Sequence, residues 1–367
     1  MAERELKIMI AAGGTGGHVF PGIAVAEAIR GSSPDVKIVF AGTKDGPEAK
    51  LVPELGMEFV HIGSRSTHAG GFINRALSYL KIPLLMLRAR RMLASEKPDA
   101  VVGTGGFAVG PLVLSAALKG IPTAIVEPNA VAGRANKKLA RFVKKVFVGF
   151  ATAAHAFPEH KVLVTGAPVR DSITLAKHDR NSKWPLTILC YGGSQGAQAL
   201  NEVMVAMTSH IEKYVDRIRI IHQVGKVDVV EKTADIYKRA QLEAEVFPFS
   251  NRIADLYCEA DLAIARAGAG TVAELAVAGI PAVFVPLPHA VDDHQRVNAE
   301  QVAGSGGAIV IDQEVLTGEA LAKIVIDFLE NPEKLKRMRD ALASVAKPDA
   351  AAQIASEMIM LARGTVN

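Results

Sequence analysis

The chain has 367 residues, 49% hydrophobic and 22% charged, with 42 Lys and Arg against 38 Asp and Glu for a net charge of +4. Such proportions exclude a disordered chain and suit two domains of about 150 residues each. Aromatics at 5% without a long basic block exclude a base-stacking nucleic-acid surface, while the mild cationic excess suits anionic ligands or an anionic membrane.

Residues Met1 to Glu5 are charged and run straight into a strand, so no signal peptide or lipid anchor is expected. No uncharged apolar run reaches the roughly 18 residues that cross a bilayer. Strands are then predicted at Ile8–Ala11, Val36–Ala41, Ala100–Val102, Thr123–Val126, Lys145–Val148 and Val162–Thr165, with helix-length segments between them. That alternation is the βαβ pattern of a parallel sheet covered on both faces. The first strand feeds Gly13-Gly14-Thr15-Gly16-Gly17-His18, whose glycines leave main-chain N–H groups uncovered where a helix is predicted to begin near Val19. A second such loop is Gly103-Thr104-Gly105-Gly106. Between these loops, Phe72 to Leu93 interleaves apolar residues with Arg75, Lys81, Arg88, Arg90 and Arg91. The segment suits the headgroup plane of a membrane or, in part, an ordinary core helix.

The alternation stops from Gly166 to Pro185, where Lys177 to Lys183 is polar and aperiodic. It resumes with strands at Leu186–Tyr191, Arg219–Gln223, Val246 and Phe247, Leu262–Ala265, Ala282–Val285 and Ala308–Ile311, and with a third loop, Gly192-Gly193-Ser194-Gln195-Gly196. Gly120-Ile121-Pro122 is echoed by Gly279-Ile280-Pro281, and both glycines are expected to cap helices. Cys190 in a strand and Cys258 in a helix lack metal-ligand spacing and read as core residues of a protein in a reducing compartment. Beyond Pro332 the chain reads as helical, broken at Pro348. The fold expected is α/β, with two Rossmann-like doubly wound domains facing a cleft: residues 1–166, a linker at 167–185, residues 186–345, and a final helix in 346–367 packing back on the first domain.

No glycine loop is followed by the Lys-Ser or Lys-Thr of a P-loop, which argues against nucleoside triphosphate hydrolysis. Val19 stands at the third glycine of a dinucleotide fingerprint, and Phe40-Ala41-Gly42-Thr43-Lys44 lacks the ribose-binding acid, so a nicotinamide oxidoreductase is disfavoured. Asp292-Asp293-His294 reads as a helix start rather than a metal set. Neither metal nor cofactor is expected.

The strings Gly13 to Gly22, Gly105 to Pro111, Glu127-Pro128-Asn129, Pro168-Val169-Arg170, Gly192 to Ala197 and Arg266 to Glu274 stand in the order found in the MurG glycosyltransferases. The chain resembles that family from first strand to final helix. The resemblance implies the two-domain GT-B fold, with the donor held mainly by the second domain and the lipid acceptor by the first. It implies inverting transfer of N-acetylglucosamine (GlcNAc) from UDP-GlcNAc to the 4-hydroxyl of the muramyl sugar of lipid I, an undecaprenyl-diphosphate-linked muramyl peptide. The products are lipid II, for peptidoglycan synthesis, and UDP. It also implies a peripheral protein on the cytoplasmic side of the inner membrane, with an anionic membrane surface and cell-wall synthesis proteins as partners and no nucleic acid. Phe107, Pro128 and Ala267 stand where the family often has tyrosine, glutamine and serine, each removing a polar group.

Displacement at an anomeric carbon needs a base for the incoming hydroxyl and charge stabilisation for the departing diphosphate. His18 ends a glycine loop at a helix N-terminus, whose dipole would keep it neutral; it reads as the base or as a cap ordering the loop. Glu127 reads as a base or as an orienter of His18 or Asn129. Arg170 and Ser194 are placed for the diphosphate, whereas Arg266 is a second phosphate contact or a partner of nearby carboxylates. Glu274 and Thr271 share a helix face, and a carboxylate suits a ribose diol. The resemblance assigns Ser250, Ala269, Gly270 and Thr271, with Val272 and Ala273 beside them, to uracil and phosphates, largely through main-chain groups. It makes Gln295, on one polar face with Asn298, the donor-sugar contact. Thr15, Gly16, Gly17 and Asn129 complete the cleft edge as further UDP-GlcNAc contacts, and Gly105, Gly106 and Phe107 form the acceptor-side loop. A UDP-sugar epimerase and a noncatalytic nucleotide-sugar binder are the alternatives; an epimerase needs neither the basic-apolar segment nor the acceptor loop, and a binder needs no base.

Overall fold

The computed structural model describes residues 5–63, 82–176, 185–193, 196–250 and 252–365. Ser194, Gln195 and the part of the basic-apolar segment before Ile82 lie outside them. Two all-parallel sheets form the frame. In the first, β1 (Lys7–Ala12) has β2 (Lys37–Thr43) and β3 (Glu58–Gly63) on one side. On the other stand β4 (Ala100–Gly105), β5 (Thr123–Glu127), β6 (Lys145–Val148) and β7 (Val162–Val164), giving the order 3-2-1-4-5-6-7. In the second sheet β8 (Leu186–Tyr191) takes the place of β1. It has β9 (Ile218–Gln223) and β10 (Glu243–Phe247) on one side, and β11 (Leu262–Ala265), β12 (Ala282–Phe284) and β13 (Ala308–Val310) on the other. Both are the doubly wound α/β arrangement expected from the alternation, with winding reversed beside β1 and beside β8.

One strand was not legible. In β3, Glu58 and His61 are exposed and only Ile62 and Gly63 are buried, because this is an edge strand with solvent along its flank. The apolar run that marks the central strands is therefore interrupted.

Successive β1 side chains point to opposite faces. Ile8 and Ile10 pack with Ile23, Val25 and Ile29, whereas Met9 and Ala11 pack with Ala89, Leu93, Leu112 and Val113. The last helix, Ala350–Arg363, lays Ile354, Ala355, Met358 and Ile359 into the first of these clusters. Contacts accordingly divide the chain into Met1–Asp171 with Pro348–Asn367, and Ser172–Lys347. At about 1.5–3 kcal/mol per large buried apolar side chain, that face is enough to tie the last helix to the first unit.

Gly120 and Gly279 take φ of 78° and 69°, the left-handed conformation that ends a helix, ahead of Pro122 and Pro281. Cys190 is buried, and burial pushes its thiol pKa up. Cys258, expected in the core, is exposed: its helix, Ile253–Glu259, turns Leu256 and Tyr257 inward instead. Among the described residues no helix is long and apolar enough to cross a membrane.

Candidate active site

In the first unit the loops after β1 and β4 meet at the reversal of winding. Gly13 N donates to Gly105 O at 3.2 Å. A Cβ on Gly106 would lie 2.2 Å from Gly13 O and one on Gly105 2.4 Å from His18 Cδ2, and both glycines have positive φ. No other residue type fits this approach. Helix α1 (Gly16–Ser32) starts earlier than expected, with Thr15 as N-cap residue and Gly16, Gly17 and His18 as the first turn. His18 N donates to Thr15 O at 3.0 Å, whereas the Gly16 and Gly17 amides, at the start of the helix, have no intrahelical acceptor.

His18 Nδ1 stands 3.2 Å from Gly13 O and 3.4 Å from Thr15 Oγ1. A carbonyl only accepts, so Nδ1 carries the proton and Nε2 keeps its lone pair. Burial lowers the imidazole pKa below 6.5, outweighing the Gly13 hydrogen bond and the charges of Glu127 and Glu48, which raise it. Desolvation is thus the largest cause. Thr104 Oγ1 donates to His18 O at 2.7 Å and anchors the turn from β4.

Glu127, 2% exposed at the end of β5, accepts four hydrogen bonds. They come from Asn129 N at 3.1 Å, Asn129 Nδ2 at 3.0 Å, Gly133 N at 2.8 Å and Asn136 Nδ2 at 2.9 Å. Its carboxylate holds the 127–136 loop and fixes the Asn129 side chain. The acceptor-side Phe107 is partly buried in the turn before α2 (Val109–Leu118). Arg170 lies over the Phe20 ring at 4.4 Å, which stations its guanidinium beside α1.

Sequence reasoning missed Glu48. Fully buried, it accepts from Thr43 N (2.9 Å), Thr43 Oγ1 (2.6 Å) and Gly14 N (3.3 Å), so one carboxylate ties the end of β2 to the first glycine loop. Gly42 and Gly46 make room for it, and Gly42-Thr43 with Gly46-Pro47-Glu48 was the available signal. Glu48→Ala strands these donors and is expected to destabilise the first unit by about 3 kcal/mol. Urea denaturation checks this, with a smaller loss expected for Glu48→Gln.

In the second unit the loops after β8 and β11 occupy the corresponding place. Gly193 and Gly196 have φ of 85° and 72°, and a Cβ on Gly196 would lie 2.3 Å from Val224 O. Gln223 Nε2 donates to Gly193 O at 3.0 Å. Val224 is held by Asn201 Nδ2 at 3.0 Å, and Asn201 Oδ1 meets His222 Nε2 at 3.0 Å. Burial pushes the His222 pKa down to about 4.

Helix α3 (Ala269–Ala278) follows β11 with Gly268 as N-cap residue, so Ala269, Gly270 and Thr271 expose first-turn amides. Val272 is buried and Ala273 half-buried behind them. One turn on, Glu274 Oε2 accepts from Tyr257 Oη at 3.1 Å. Ser250 Oγ accepts from Arg252 N at 3.0 Å in the turn after β10.

Two expectations change. Arg266 donates to Val285 O and Pro286 O, each at 3.1 Å, and to Gln313, so it clamps strand ends rather than pairing with carboxylates. Asn298 is fully buried with Nδ2 donating to Ala267 O at 3.3 Å, so it holds the loop before α3 and is not on a solvated polar face with Gln295. Gln295 Oε1 accepts from Leu287 N at 3.0 Å and secures the loop after β12. In that loop His289, Asp292 and Asp293 have φ of 58°, 54° and 50°, strain that clusters at ligand-binding edges.

Residues 8–148 match the glycosyltransferase family 28 N-terminal domain and residues 187–354 the glycosyltransferase family 28 C-terminal domain. A UDP-N-acetylglucosamine--N-acetylmuramyl-(pentapeptide) pyrophosphoryl-undecaprenol N-acetylglucosamine transferase of Geobacter metallireducens is 38% identical, across 96% of this chain and 98% of its own. The crystal structure of Acinetobacter baumannii MurG superposes with a TM-score of 0.77 at 35% identity, covering 97% of this chain and 99% of that one. The chain belongs to the MurG family. A UDP-N-acetylglucosamine 2-epimerase structure from Listeria monocytogenes shares the fold, with a TM-score of 0.71, at only 13% identity. The MurG motifs Gly13 to Gly22 and Arg266 to Glu274 fall at the two reversals of winding.

Proposed function

We propose that this protein transfers GlcNAc from UDP-GlcNAc to the 4-hydroxyl of the muramyl sugar of lipid I, giving lipid II and UDP. The full-length identity to the Geobacter transferase carries this reading. His18 is the general base: Nε2 takes the proton of the acceptor hydroxyl as its oxygen attacks C1 of the donor sugar. The C1–oxygen bond to the diphosphate breaks on the opposite face, so configuration inverts and UDP leaves with the bonding pair. The first-turn amides of α3 and the Arg170 guanidinium meet the negative charge that develops there. Ser194 joins them by resemblance alone.

Glu127 acts through Asn129 as a positioning residue, since its carboxylate is engaged by the loop it orders. Thr15, Gly16, Gly17 and Asn129 also contact UDP-GlcNAc, and Gly105, Gly106 and Phe107 form the acceptor-side loop. Glu274 takes the ribose diol, Ser250 and residues 269–273 the uracil and phosphates, and Gln295 the donor sugar. Supplying UDP-GlcNAc with a lipid I analogue is expected to release UDP stoichiometrically with disaccharide. Release with another UDP-sugar but not with this one would overturn the substrate assignment.

The membrane is the second half of the reading. Helix Ile82–Glu96 buries Leu85, Ala89 and Leu93, yet leaves Leu84 and Leu87 50% and 46% exposed beside the exposed Arg88, Arg90 and Arg91. One helix thus serves as core and as a cationic, greasy outer face, which suits a peripheral protein on the cytoplasmic side of the inner membrane. Arg88→Ala with Arg91→Ala is expected to weaken binding to anionic phospholipid vesicles on the order of tenfold. Sedimentation checks it, with UDP affinity unchanged.

A further inference from the structure

Glu274 is not held by its own helix alone. Tyr257, fully buried, reaches it from the Ile253–Glu259 helix, and Tyr191, 5% exposed at the end of β8, stands 2.7 Å from Tyr257 oxygen to oxygen. Thr271, on α3 three residues before Glu274, hydrogen-bonds Tyr191 through its side chain. These four side chains link the end of β8 to the two helices that flank β11, from a buried tyrosine pair to the half-buried Thr271 and Glu274.

The direction of each hydrogen follows from chemistry. An ionised carboxylate only accepts, so the Tyr257 hydroxyl donates to Glu274. Tyr257 has no second hydrogen, so Tyr191 donates to it. Tyr191 has then spent its own, so Thr271 donates to Tyr191. Burial raises the pKa of both phenols, so both keep their protons at neutral pH. With its hydrogen given to Tyr191, the Thr271 hydroxyl, like the Glu274 carboxylate, therefore presents only acceptor oxygens at the rim of α3.

We propose that the Thr271–Tyr191–Tyr257–Glu274 chain is a specificity device that orients the Glu274 carboxylate and makes this rim demand a ligand with two donating hydroxyls, a ribose rather than a deoxyribose. It rests on the reading of Glu274 as the ribose contact. A chain of donors pointing one way polarises its last member, and an acceptor already fixed in place loses less freedom when the diol arrives. Tyr191 and Tyr257 touch no ligand; they are positioning residues.

Calorimetric affinities for UDP and for its 2′,3′-dideoxy analogue, measured on the full chain, separate the two readings. The wild type is expected to prefer UDP strongly. Tyr257→Phe removes one donor but keeps the ring, and is expected to cut that preference about tenfold. Tyr191→Phe is expected to act in the same direction more weakly, because Tyr257 keeps its bond to the carboxylate. In turnover, Tyr257→Phe is expected to raise the KM for UDP-GlcNAc with kcat little changed. If Glu274→Gln leaves the preference intact, the ribose assignment itself fails. If Glu274→Gln abolishes it while Tyr257→Phe, folded by circular dichroism, leaves it intact, the chain is only structural and this inference alone is overturned.

Discussion

His18→Ala is expected to lower kcat for GlcNAc transfer by a factor of about 10² to 10⁴, the range that a positioned general base supplies. The KM for UDP-GlcNAc should move little, since His18 is assigned to the acceptor hydroxyl and not to a donor contact. His18→Asn separates base from cap. An asparagine amide can still donate to Gly13 O and order the loop, but it has no basic lone pair to replace Nε2. Full activity in His18→Asn would reduce the histidine to a loop fastener; loss comparable to that of His18→Ala supports the base.

The pH profile carries the same information independently. A base must be unprotonated to work, and burial holds the folded imidazole pKa below 6.5. Activity is therefore expected to be flat through neutral pH and to fall only as pH drops through that lowered pKa. An acid limb at 6.5 or above would mean that the titrating group is not the half-buried His18.

Glu274→Ala is the second large effect. Hydrogen bonds to a charged acceptor contribute about 1.5–3 kcal/mol each, so losing those to a ribose diol is expected to reduce kcat/KM for UDP-GlcNAc about a hundredfold. Steady-state kinetics at saturating acceptor should place most of that loss in KM. A variant with unchanged KM would leave the carboxylate serving the helix and not the nucleotide.

Much of the frame was legible because its signals are local. β1 and β8 are apolar on both faces, the loops after them are glycine-rich, and Gly120-Ile121-Pro122 and Gly279-Ile280-Pro281 announce helix ends within three residues. The start of α1 was misplaced by the same signal that revealed the loop. Gly16 and Gly17 read as turn residues, yet they form the first helical turn, where small residues leave the amides open.

What stayed hidden depends on partners distant in sequence. Tyr191 and Tyr257 are 66 positions apart, and Glu48 reaches Gly14 across 34. Neither contact has a periodicity. Arg266 and Asn298 have the residue types of ligand-binding groups, but main-chain carbonyls at Val285, Pro286 and Ala267 claim their donors. Residue type indicates what a side chain can bond; only packing decides which of several acceptors it meets. Cys258 shows the converse, an apolar type turned outward because Leu256 and Tyr257 fill the inward positions of a short helix.

A crystal structure with UDP bound tests the account most directly. Diphosphate oxygens within hydrogen-bond distance of the Ala269–Thr271 amides, with ribose hydroxyls on Glu274, are the predicted result. UDP lodged at the loops after β1 and β4, or anywhere that leaves Glu274 untouched, would contradict it.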